Sequence, residues 1–236
     1  MNEEGQTVTA TFPPSWLHVV RGPRMLIDQA AAQYPRAKLI INSVMFVSRQ
    51  GTDVVALRDA KYGLDVAGST PDAGATIWVD GGRAGGRYGG SFPPTASVVI
   101  QGWPSLVADG RVTATNVGTN AERDTRAGIG VTDAGLIVIV YVVGTMVDLA
   151  EAMVRSGAIV AGYLDGGSSS QLRTSGGVRR DSRRVAPIPG WILAEPPAIT
   201  VGRQLPVAIL FLLTAGALGY ALWPDRPSGV GMRAGV

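Results

Sequence analysis

The chain of 236 residues contains no cysteine and only one histidine, His18. Disulfide scaffolds and thiolate metal centres are thereby excluded, and any ion would have to be held by carboxylates and carbonyls. Zinc chemistry is not expected. Lysine occurs only at Lys38 and Lys61, so arginine supplies nearly all the positive charge, and the net charge is only +3. Most of that arginine fits the composition of an Ala/Gly/Val/Arg-rich sequence, and only arginines beside a motif are given a role. With 46% hydrophobic and 17% charged residues, disordered and collagen-like chains are excluded and one domain of ordinary size with appendages is expected. Glycine, by contrast, is plentiful at 32 residues. It gathers in Gly-Gly pairs and Asp-Gly turns, which points to long, ordered loops as the carriers of function.

The first twenty residues, MNEEGQTVTATFPPSWLHVV, lack the basic and continuously apolar regions of a secretory signal, and export by that route is not expected. The other end differs. Leu205 to Trp223 reads LPVAILFLLTAGALGYALW, with no charge and a length near the roughly 20 residues that cross a hydrocarbon core. Its aromatic Tyr220 and Trp223 and its Gly216 to Gly219 spacing suit a membrane helix. The expectation is therefore a protein anchored in a membrane through a C-terminal helix, the alternative being a helix buried in an assembly such as a virus particle. The organisation predicted is an N-terminal segment 1–33, a domain 34–197, the hydrophobic helix 205–223 and a polar tail 224–236.

Within the body, Leu39 to Ile41 and Val44 to Val47 form an apolar run broken by Asn42 and Ser43, the mark of a buried strand entering a turn. Asp65 to Phe92 reads as a glycine-punctuated loop or hairpin, strand-like only at Thr76 to Val79. Asp109-Gly110 between apolar runs is a hairpin signal. Arg126 to Val131 and Leu136 to Val143 are strands, and Thr145 opens a helix with a capping box to Asp148 that stops at Gly157. Ala158 to Leu164 is the next strand. Leu136 to Leu164 is then a strand-helix-strand unit with two parallel strands, ending at D165-G-G-S-S-S170. These elements predict an α+β or α/β domain, with a mixed β-sheet and packed helices, plus one C-terminal hydrophobic helix.

Ligands of sheets with crossover helices bind beyond the carboxyl ends of the strands, which is where Asp165 falls. Gly166 and Gly167 allow close backbone approach and turn amides toward a ligand, with Ser168 following. A plain Asp-Gly turn decorated with serines is the competing reading. The arginines at 173, 179, 180, 183 and 184 suit attraction of polyanions, or else form a solvated basic loop. No aromatics are interleaved with them, so specific nucleic-acid recognition is not expected.

The run R126-A-G-I-G-V-T-D-A-G-L, the helix with L149-A, S156-G-A and Y163-L-D-G-G-S-S-S together resemble the phosphodiester glycosidase family. I41-N-S-V-M-F46, I100-Q-G-W-P-S-L-V-A-D-G110 and R183-R-V-A186 extend the likeness over Tyr34 to Glu195. The sequence departs from the family pattern at Ser43, Val44, Gln101, Ala134 and Ser168. The resemblance implies a hydrolase that cleaves a sugar-1-phosphodiester or related glycosidic bond in a cell-envelope or surface glycan. The alternative is a non-catalytic glycan-binding or structural component that keeps the fold, for instance in a phage tail. The resemblance makes Asp165, Arg126 and Asn42 the catalytic candidates. Arg126 would grip the phosphate, Asp165 would serve as base, nucleophile or hydroxyl-binding carboxylate, and Asn42 would bond sugar or phosphate. Gly166, Gly167, Ser168, Arg184, Asp109 and Trp103 are candidates for substrate binding, Asp109 also reading as a hairpin-turn residue and Trp103 as a core residue. No cofactor is required, and a divalent cation at Asp165 is left open. The partners expected are a glycan or sugar-phosphate polymer, and a membrane or protein assembly through 205–223.

Overall fold

The computed structural model describes residues 7–43, 56–66, 74–115, 117–180 and 186–198. The chain divides into two units, Met1–Pro197 and Ala198–Val236, and every element below belongs to the first. In chain order the elements are β1 (Thr7–Phe12), β2 (Leu17–Met25), α1 (Ile27–Gln33), β3 (Leu39–Asn42), β4 (Leu57–Asp59), β5 (Leu64–Val66), β6 (Ala75–Asp80), β7 (Arg83–Tyr88), β8 (Val98–Gly102), β9 (Ser105–Ala108), β10 (Arg111–Val112), β11 (Asp124–Thr132), β12 (Ile137–Gly144), α2 (Met146–Arg155), β13 (Ala158–Tyr163), β14 (Gln171–Thr174), β15 (Gly177–Arg180) and β16 (Ile188–Ala194).

They form three sheets, ordered β1-β12-β11-β13-β9-β10, β15-β14-β3-β16-β2 and β5-β4-β8-β6-β7. Every strand pair described is antiparallel. One apolar core takes side chains from all three sheets, among them Val19, Ile41, Ile77, Ile100, Ile129, Ile139 and Ile192. The outer face of the first sheet is covered by α2 through Met146, Leu149 and Met153, and that of the second by α1 through Ile27 and Ala30.

The expected mixed sheet is corrected by this topology. β12, α2 and β13 do form a strand-helix-strand unit with strands running the same way, but β11 lies between them and pairs antiparallel with both. A crossover helix long enough to pass over one intervening strand gives parallel direction without a parallel ladder. The helical content is correspondingly small: α1 and α2 are the only α-helices among the described residues, beside short 3-10 turns at Pro14–Trp16, Gly118–Ala121 and Gly167–Ser169. The architecture is mainly antiparallel β rather than α+β or α/β.

The glycines of R126-A-G-I-G have a packing cause. A Cβ at Gly128 would meet Leu106 Cδ1 at 2.9 Å, and one at Gly130 would meet Val160 O at 2.6 Å and Met153 Cε at 2.9 Å. α2 therefore lies close on β11 because every second residue there has no side chain. The helix itself begins as expected, with Thr145 Oγ1 accepting from Asp148 N at 3.1 Å and Asp148 Oδ2 accepting from Thr145 N at 2.8 Å.

Anchoring through a C-terminal membrane helix is not supported. Among the described residues no helix is long and apolar enough to cross a membrane, and 205–223, where that expectation fell, lies outside them.

Candidate active site

β11 runs antiparallel to β13 with Gly128 opposite Tyr163, so the start of β11 lies beside the loop that leaves β13. Three strand ends converge there: the start of β11, the end of β12 and the end of β13. Asp165 sits in that loop, half-buried, with Oδ1 accepting from Gly166 N at 3.0 Å. Burial pushes its carboxyl above the ordinary carboxylate range, against the hydrogen bonds from the Ser169 side chain and the Gly166 amide.

The loop is braced from two sides. Leu164 N donates to Ala127 O at 2.9 Å, and Thr125 Oγ1 donates to Gly167 O at 3.0 Å. Gly167 takes φ +56°, a left-handed conformation that disfavours side chains. Gly166 is extended, and its constraint is space: a Cβ there would fall on the Tyr163 hydroxyl.

Asn42, at the end of β3, is fully buried. Its Nδ2 donates to the Asp165 carbonyl at 2.6 Å and to Ser43 O at 3.2 Å, while Oδ1 accepts from Gln171 N at 3.1 Å. The side chain thus ties β3, the Asp165 loop and the start of β14 together. Its hydrogen bonds run to backbone rather than toward a ligand.

Arg126 is also buried. Nε donates to Gly144 O at 3.0 Å, NH2 to Thr119 O at 2.8 Å and Glu122 O at 3.0 Å, and NH1 toward the Tyr163 hydroxyl at 3.4 Å. One guanidinium N–H has no partner among the described residues. No described carboxylate lies within ion-pair distance, and the cation is solvated by backbone carbonyl dipoles. The Arg126 guanidinium lies over the Tyr163 ring, 5.9 Å from guanidinium carbon to ring centroid. Burial, eased by Arg126 and reinforced by Asp165 and Asp124, pushes the Tyr163 hydroxyl up to about 12.

Of the remaining candidates, Gly166, Gly167 and Ser168 belong to this loop, and Ser168 O accepts from Ala186 N at 3.0 Å. Trp103 adjoins it, because Trp103 N donates to Tyr163 O at 2.9 Å and Tyr163 N to Pro104 O at 3.0 Å. Asp109 is not brought to it. With φ +49° and Gly110 at +70°, it forms the turn of the β9–β10 hairpin, and Gly110 N bonds Ile159 O at the opposite end of β13. At about 3.3 Å per residue, that end is roughly 20 Å from Asp165. Arg184 and Val44 lie outside the described residues.

Two residues of the site were not singled out from sequence, Asp124 and Tyr163. Both carried a signal: Asp124 is two residues before Arg126, hence on the same face of a strand, and Tyr163 directly precedes L-D-G-G. Asp124 Oδ1 accepts from Thr125 N at 2.7 Å, and Oδ2 faces Gly167, 3.0 Å from where a Cβ would stand. Among the described residues no three His, Asp or Glu side chains gather as metal ligands. His18 belongs to another polar group, with Nδ1 3.1 Å from Asp59 Oδ2 and Nε2 3.4 Å from Lys61 Nζ.

Comparison with known proteins bears on this geometry. The family described as phosphodiester glycosidase matches residues 36–210. The catalytic domain of zebrafish N-acetylglucosamine-1-phosphodiester alpha-N-acetylglucosaminidase, auto-inhibited by its pro-peptide, superposes with a TM-score of 0.64 at 13% identity, covering 84% of this chain and 86% of its own. A Burkholderia pseudomallei protein described as exported superposes at 0.56 and 13% identity, covering 80% of this chain and 74% of its own. At these identities the structural likeness is one of fold. No curated protein matches in sequence. None of these findings points to a phage tail, a virion or a membrane partner.

Proposed function

Because the chain belongs to the phosphodiester glycosidase family, we propose that it hydrolyses the bond between a sugar anomeric carbon and a phosphate oxygen in a phosphodiester-linked glycan. The observation that carries this reading is a half-buried carboxyl of raised proton affinity, Asp165, at the same strand ends as a buried arginine, Arg126, that has no ion-pair partner among the described residues. The first suits proton handling at the glycosidic oxygen, the second an anionic leaving group.

In this reading Asp165 holds its proton against the bridging oxygen until the C1–O bond breaks. Arg126 acts mainly by field. Its donors are engaged with Gly144, Thr119 and Glu122, so it favours a phosphate above the site without a two-pronged grip, and it sets Tyr163 and the 118–122 turn. The Gly166 and Gly167 backbone offers close approach, and Asn42 positions Asp165 by holding its carbonyl. Trp103 packs against the core and is only partly buried, and in this reading its accessible part stacks on a sugar ring. The sugar-1-phosphate linkages of cell-envelope polymers are the substrate class of choice.

The test is incubation of the full chain with a panel of sugar-1-phosphodiesters, scoring free sugar and phosphomonoester. Wild-type turnover with at least a 100-fold loss in folded Asp165→Asn supports the reading. Absence of turnover on the whole panel, or undiminished turnover in the variant, refutes it.

A further inference from the structure

Hydrolysis by displacement at a sugar carbon uses two carboxyl groups, one for the leaving oxygen and one for water or the sugar carbon. Of the sequence candidates only Asp165 and Asp109 are carboxylates, and Asp109 is in a turn at the far end of β13. We propose that Asp124 is the second reacting carboxylate, the base that takes the proton from the attacking water. This inference rests on the glycosidase reading above.

These observations support it. Asp124 opens β11 where that strand meets the Asp165 loop, since Thr125 and Ala127 bond Gly167 and Leu164. Its carboxylate is oriented by its own strand, Oδ1 being held by Thr125 N at 2.7 Å. The other oxygen is left for chemistry: Oδ2 has no hydrogen-bond partner among the described residues and faces Gly167, which has no side chain to cover it. Among the described residues the neighbouring cations are engaged elsewhere, Arg123 with Asp148 Oδ2 at 3.7 Å and Val143 O at 3.2 Å, and Arg126 with carbonyls. Both carboxylates border the same loop backbone, Asp165 Oδ1 at the Gly166 amide and Asp124 Oδ2 facing Gly167.

In the step, a water oxygen forms a bond to C1 while the C1–O bond to phosphate breaks. The bonding pair leaves on the phosphate oxygen, which takes the Asp165 proton, and the water proton passes to Asp124 Oδ2. Exchange with solvent then returns each carboxyl to its starting form. Single displacement of this kind yields the inverted anomer.

The test is Asp124→Asn in the full chain, a variant that keeps the acceptor for Thr125 N, with folding checked by thermal unfolding. Expected are turnover slowed by roughly two to four orders of magnitude with KM changed less than about threefold, and partial recovery with azide as a glycosyl azide of inverted configuration. Azide needs no base, so a merely structural role for Asp124 does not give that product. A folded variant that turns over at the wild-type rate overturns the inference while leaving the glycosidase reading intact. So does loss of activity without azide rescue, or a retained azide product. A wild type without turnover on the whole panel overturns both.

Discussion

Gly166 is extended, a backbone conformation open to any residue, so the consequence of Gly166→Ala follows from space alone. The added methyl would fall on the Tyr163 hydroxyl, with Tyr163 Cζ and Thr125 O each 3.0 Å away. Neither neighbour yields freely. The Tyr163 ring is 8% exposed and its hydroxyl faces Arg126, and Thr125 O is backbone of β11. Overpacking of a closed site costs about 1–3 kcal/mol, and the absence of slack here argues for about 2 kcal/mol or more. For a domain of this size that is a fall in Tm of about 4–8 °C. The loop also carries Asp165, and a displacement of about 1 Å there is expected to lower turnover about 100-fold. Tyr163→Phe removes the obstructing oxygen but leaves the ring carbon. The double variant should therefore recover about 1 kcal/mol relative to the sum of the single costs, within the usual coupling of contacting residues. Urea or thermal unfolding of the four proteins measures it. A Gly166→Ala chain as stable as wild type, or strictly additive costs, would refute the steric reasoning.

Other consequences are equally open to measurement. Because burial raises the Asp165 carboxyl, folding favours its protonated form, a contribution complete below about pH 4 and lost as pH rises through the higher folded value. Asp165→Asn should thus be more stable than wild type at about pH 7, with the gap closing toward about pH 4 in unfolding titrations. Glu195 has the opposite sign: burial pushes it up, but hydrogen bonds from Lys61 and Tyr62 and the charges of Lys61 and Arg36 hold it below the usual range. Glu195→Gln should lose stability near neutral pH and converge on wild type as the solution is acidified through the depressed folded value. Arg126→Ala strips donors from Gly144, Thr119 and Glu122 carbonyls and should cost about 3 kcal/mol, with faster amide exchange at 118–122. Thr145→Ala removes the α2 cap and should cost about 1 kcal/mol by urea unfolding.

The parts of this fold legible in sequence are those set by local chemistry. Asp109-Gly110 forms its turn because both residues take positive φ, and Thr145 with Asp148 begins α2 because their side chains satisfy each other's amides. The loop or hairpin of the glycine-rich 65–92 region includes the β6–β7 hairpin, where Gly85 lies against Trp78, an interaction between strands that composition alone does not display. Strand order is non-local, and so the insertion of β11 between β12 and β13, which makes the sheet antiparallel, left no mark in the 136–164 pattern. β1 and β2, in the stretch expected to precede the domain, pair with β12 and β16, strands far away along the chain. At the site, Asp165 and its glycines were visible as a motif. Asp124 was not, because its significance arises only where β11 passes the loop after β13. The enclosure of Arg126 by carbonyls of the 118–122 turn is likewise a product of folding, invisible in the arginine itself.

A glycosidase site built on Asp165 and Arg126 breaks C1–O and not P–O, and isotope placement tests this directly. The full chain is allowed to hydrolyse a sugar-1-phosphodiester in water enriched in oxygen-18, and both products are weighed by mass spectrometry. Label in the released sugar, with none in the phosphomonoester, is the expected result. Label in the phosphate would mean attack at phosphorus and would contradict the assignment of Asp165 and Arg126 to a glycosidase site.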